Sequence, residues 1–130
     1  MGAAKTGGEG MITVRLPWPP KELSPNARVH WAVKNRHAQQ QKESAWALTQ
    51  HAKRGFISAP SWTHNVRLTF NPPDRRRRDL DNMLAMMKPA LDGIAMALGT
   101  DDQYFTLTLE RGEPTKGGEV VAVITEGAEQ

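Results

Sequence analysis

The chain has 130 residues, enough for one domain with a core of its own. Hydrophobic residues make up 38% and charged residues 24%, the balance of a globular protein, and no apolar run nears the roughly 18 residues of a membrane span, so a cytoplasmic protein without a membrane partner is expected. With no cysteine, disulfides, thiol catalysis and cysteine-ligated zinc are excluded, and the net charge of +3 is compatible with an acidic partner without demonstrating one.

Residues 1–10 are small and glycine-rich and read as a flexible tail or an overextended start, with Met11 as the alternative first residue; they lack the apolar stretch of a secretory signal. From Met11, Ile12, Val14 and Leu16 alternate with Thr13 and Arg15, the pattern of a half-buried strand that Pro17-Trp18-Pro19-Pro20 must end. Lys21 to Arg28 reads as a surface loop. The spacing of Ala45, Trp46, Leu48 and Ala52 predicts a first helix over 38–54, stopped by Gly55. Val66, Leu68 and Phe70 predict a second strand, closed by Pro72 and Pro73, which delivers the run Arg75-Arg76-Arg77-Arg78.

A second helix is predicted over 81–98 and stopped by Gly99, its apolar stripe formed by Leu84, Met87, Leu91, Ile94 and Leu98. At about 100° per residue Asp81, Lys88 and Asp92 share a polar stripe, which Pro89 kinks. Met86 and Met96 lie off the apolar stripe, so either the fold buries this helix deeply or a second subunit covers it. Phe105, Leu107 and Leu109 predict a third strand, and Val121 and Val123 mark a fourth within 119–125. The Pro-Gly-rich connection predicts that these two pair as an antiparallel hairpin. Residues 127–130 form a C-terminal tail after a domain over 11–126. The order β-α-β-α-β-β gives an α+β fold, a mixed four-stranded sheet with two helices.

The chemistry concentrates between Arg75 and Phe105. Asp79 and Asp81, two apart on extended chain, point to the same side and can meet one cation, with Asp101 and Asp102 some twenty residues later. Clustered carboxylates beside a cationic run suit Mg²⁺ or Mn²⁺ bound together with a nucleic-acid phosphate. A D-x-D pair also serves as plain helix capping, and four arginines as a solvated face. An EF-hand is disfavoured, because Leu84 and Ala90 occupy the positions that need glycine and an acid. The four histidines lack metal-ligand spacing and are assigned no role. Of the tryptophans, Trp18 and Trp31 are the candidates for stacking on bases, while Trp46 and Trp62 read as anchors.

ITVRLPWPP, PDRRRRDLDN, LDG, DD and the closing TKGG with VVAVITE, taken in this order, resemble the RusA Holliday junction resolvases of phages and prophages, which are crossover junction endodeoxyribonucleases. The resemblance covers nearly everything after the tail and implies a RusA-like fold. It implies Mg²⁺ on Asp79, Asp81 and Asp102, with these residues and Lys88 catalytic, and a homodimer that cuts four-way DNA junctions by paired symmetric nicks in recombination and repair. Arg76, Arg78 and Lys116 are the expected DNA contacts; Asp92 and Asp101 are weaker candidates. The chain departs from the family in its lysine, which the family carries four residues after the second aspartate, where Ala85 stands here; Lys88 is seven residues on. The rivals are a branched-DNA-binding module without chemistry and a small interaction domain whose arginines only solubilise it.

Overall fold

Where apolar and polar residues alternate strictly, the chain is extended. The computed structural model of the protein describes residues 11–53 and 64–126. The predicted tails 1–10 and 127–130, the helix stop at Gly55 and Trp62 lie outside the described residues. Strands β1 (Met11–Pro17), β2 (His64–Asn71), β3 (Phe105–Arg111) and β4 (Glu119–Glu126) form one sheet in the order β1-β4-β2-β3. β4 runs antiparallel to both neighbours and β3 runs parallel to β2. Among the described residues the fold is α+β, with a mixed four-stranded sheet and three α-helices: α1 (Trp31–Ala52), α2 (Leu80–Met86) and α3 (Lys88–Leu98). No helix among the described residues is long and apolar enough to cross a membrane.

The predicted hairpin of the third and fourth strands does not form. β2 lies between them, because α3 returns the chain to the start of β2 and lets β3 add in parallel at the sheet edge, while β4 fills the gap between β1 and β2. β4 is apolar at every position from Val120 to Ile124, so alternation could not set its parity. Val120, Ala122 and Ile124 face the core, and Val121 and Val123 lie on the other face. Ile12, Val14, Leu16, Val66, Leu68 and Phe70 complete the inward side of the sheet, against which the helices pack.

α1 begins seven residues earlier than its spacing predicts, since 31–37 carries no apolar period; His30 caps it, its Nδ1 accepting the Ala32 amide hydrogen at 3.1 Å. Ala45 and Thr49 are its buried residues, whereas Trp46 and Leu48 remain partly in water. α1 and α3 approach so closely at Gly93 that a Cβ there would stand 2.2 Å from the Lys42 carbonyl oxygen. The glycine of the LDG motif is therefore required by backbone-to-backbone contact.

The second predicted helix is two helices. Pro89 has no amide hydrogen for Ala85, and the axis breaks at Met87. At the break, Gln41 of α1 inserts its amide into an opened i to i−4 bond: Nε2 donates to the Met86 carbonyl at 2.9 Å, and Oε1 accepts from the Ala90 amide at 3.0 Å. The predicted apolar stripe survives the break, with Met87, Leu91, Ile94 and Leu98 buried and Leu84 packed against them. The polar stripe does not survive as one face, since Asp81 belongs to α2 and Lys88 and Asp92 to α3. Gly99 ends α3 in the left-handed conformation at φ 75°, and Lys53 Nζ donates to the Ala97 carbonyl at 2.7 Å.

Candidate functional site

The topology gathers the C-terminal ends of β1, β2 and β3 and the start of β4 at one edge of the sheet, where Pro17, Asn71 and Glu119 are in register and Arg111 pairs with Phe70. The arginine loop leaves from this edge. Its organising residue is Asp74, whose carboxylate meets Arg78 Nη1 at 2.9 Å and accepts the Arg76 amide hydrogen at 2.9 Å. Those hydrogen bonds, Arg78's first, hold the Asp74 pKa down at about 2. Arg78 also donates to the Arg76 carbonyl at 3.0 Å, and its guanidinium lies 5.5 Å over the Trp18 ring. Arg111 Nη1 donates to the Arg78 carbonyl at 2.8 Å.

Arg78 is thus a clasp of the loop, with its side chain only 20% exposed. Arg76 reaches solvent and holds Asp74 at 3.3 Å. Arg77, to which sequence reasoning gave no role, makes no hydrogen bond or ion pair within the described residues and lines the hollows on both sides of the loop. Nothing in a run of four arginines distinguishes one from another; the distinction comes from Asp74, which captures its neighbours. Trp18 is also committed: Phe70 meets it edge-on at 6.3 Å, and a Cβ on Gly118 would stand 2.9 Å from its side chain. Lys116 is exposed beside Arg15 in a separate hollow at the same edge.

Asp79 lines the hollow of the arginine loop together with Phe70 and Arg111, and a second hollow of about 640 Å³ with Arg77, Lys21 and Asn82. It occupies the N-cap position of α2, yet its carboxylate takes no capping hydrogen bond. The capping alternative for this residue is therefore not realised. Asp81 is exposed in the first turn of α2, and Lys88 is exposed at the first position of α3.

Asp102 lies at the opposite edge. It opens a one-turn 3-10 segment running directly into β3, whose first residue, Phe105, is in register with His64 at the start of β2. Burial, then the carboxyl groups of Asp92 and Asp101, raise its pKa. Asp101 is spent locally, its Oδ1 accepting the Gln103 amide hydrogen at 3.0 Å. Asp102 thus meets the carboxyl groups of Asp92 and Asp101 at the start of β3, whereas the arginine loop that leads to Asp79 is held to Arg111 at the strand's other end. Among the described residues no group of three or more His, Cys, Asp or Glu stands ready to hold a metal ion. The donor chemistry of the aspartates suits magnesium.

No family model matches the chain. A protein of Xylella fastidiosa (strain Temecula1) is 41% identical over 124 residues, a match covering 94% of this chain and 81% of that protein, whose name is "Uncharacterized protein". The chain belongs to that protein's family. The kinship runs over nearly the whole chain rather than one motif, so it takes in both edges of the sheet. The family name carries no activity to transfer, and the functional reading rests on the residues themselves.

Proposed function

We propose that the protein is a Mg²⁺-dependent, structure-selective endodeoxyribonuclease of the RusA type, resolving four-way DNA junctions as a cytoplasmic homodimer. The observation that carries this reading is the meeting of Arg77 with Asp79 in one hollow at the edge where three strands end, neither side chain holding a hydrogen bond or ion pair among the described residues. An open cation positions a phosphate, and an open carboxylate is what a divalent ion on that phosphate requires.

The separation of the aspartates adds a condition. With Asp102 at the start of β3 and Asp79 beside the loop at its end, we infer that Asp102 reaches the ion from a second copy of the chain. A two-fold dimer then carries two such sites, matching a two-fold junction and paired nicks. Lys88, exposed on α3, and Lys116, exposed at the arginine edge, are available to DNA phosphates. A second reading, a branched-DNA-binding module without chemistry, is favoured by the same separation, because binding needs only the arginine edge.

Nicking of a synthetic four-way junction with Mg²⁺ and with chelator decides between them. The nuclease reading expects symmetric nicks that chelator and Asp81→Asn each abolish. Tight junction binding without any cut would leave the binding module.

A further inference from the structure

Trp31 is the most exposed large hydrophobic side chain among the described residues, at 72%. It stands at the first position of α1 on fixed backbone, beside the capping His30, whose ring lies 5.7 Å away at a tilt of 30°. Arg28 and Arg36 flank it in sequence, both exposed and free of ion pairs within the described residues. Lys34, one turn on, donates to the Ser24 carbonyl at 3.2 Å and fastens the helix start to the preceding loop.

That loop links Trp31 to the arginine edge. Lys21 and Ser24 line both the hollow that holds Arg77 and a second of about 300 Å³ that continues to Arg28 and Val29. Two hollows that share Lys21 and Ser24 therefore lie between Arg77 and Val29, two residues before the exposed indole. Surfaces that take unpaired nucleic-acid strands combine these two elements, cations along the backbone and an aromatic face for a base.

We propose that Trp31 is a stacking platform for an unpaired base at the branch point of DNA, with Arg28 and Arg77 on the adjoining phosphates. The proposal rests on the branched-DNA reading above and adds the element of the branch that is recognised. Stacking on one aromatic side chain changes affinity by about tenfold.

The test measures binding of the full-length wild type, Trp31→Ala and Trp31→Phe to a four-way junction carrying 2-aminopurine at the branch point, and to a paired duplex of equal length. Trp31→Ala should weaken junction binding about tenfold and leave duplex affinity and its salt dependence unchanged, with Trp31→Phe restoring most of the loss. The 2-aminopurine signal should change on binding with tryptophan or phenylalanine and stay flat with alanine. Equal losses on junction and duplex, or no loss on either, would overturn the proposal. The two readings fail separately: a wild type with no preference for the junction sinks the branched-DNA reading, whereas a preference that Trp31→Ala leaves undiminished sinks only the stacking platform.

Discussion

Gly93→Ala is a direct probe of how α1 and α3 are held together. The new methyl would sit 2.2 Å from the Lys42 carbonyl oxygen and 3.0 Å from the Trp46 amide nitrogen. Both are backbone atoms, so no side-chain rotation relieves the clash, and the helices must part by about 1 Å to reach ordinary contact, a gap that forfeits a quarter to a half of each dispersion contact. Overpacking of this kind costs about 3 kcal/mol, against which replacing glycine inside a helix returns about 1 kcal/mol. The net loss is about 2 kcal/mol, or roughly 8 °C in Tm for a domain of this size. Thermal unfolding followed by circular dichroism measures it. The sign is the decisive point: helix propensity alone makes the variant more stable, so a Tm equal to or above that of the wild type would refute the close helix contact.

Gln41→Leu should cost about 2 kcal/mol in urea unfolding, because it opens two hydrogen bonds at the break between α2 and α3; an unchanged midpoint would show that the break needs no such bridge. Asp74 and Asp102 titrate with opposite consequences. The depressed pKa of Asp74 contributes stability above the ordinary value of 3.8 that is lost as pH falls to about 2, so Asp74→Asn should flatten the acid limb of a pH–Tm profile. The raised pKa of Asp102 leaves its contribution intact below 3.8 and loses it as pH rises through the folded value, so Asp102→Asn should raise Tm at neutral pH and change nothing in strong acid. A lower neutral-pH Tm for Asp102→Asn would contradict its crowding by Asp92. Arg77→Ala should reduce the salt dependence of junction binding by about one phosphate contact, whereas an unchanged slope would remove Arg77 from the interface.

What the sequence made legible depended on periodicity. The strands around Val14 and Leu68 alternate strictly and were placed with the correct inward residues. β4 is apolar on both faces, and its neighbours were misassigned because pairing is decided by where the preceding helix returns the chain. α1 was foreshortened because its first two turns bury almost nothing. Gln41 is not legible in the sequence, because a glutamine among glutamines carries no local sign of an insertion that depends on a proline forty-eight residues later. At the candidate site, residue identities were legible and their placement was not. Asp79 was singled out and lies in the arginine hollow, but Arg78 faces inward and Arg77 outward for reasons that reside in Asp74. The distance to Asp102 is a property of the whole sheet.

Mixing two variants asks whether each catalytic site is shared between two copies of the chain. Asp81→Asn and Asp102→Asn, each inactive alone, are combined in equal amounts and assayed for Mg²⁺-dependent nicking of a four-way junction. If each site draws Asp81 from one copy and Asp102 from the other, mixed dimers contain one intact site, and the mixture should recover single nicks rather than paired cuts. A mixture as inactive as its parts, or variants that cut as well as the wild type, would contradict the account.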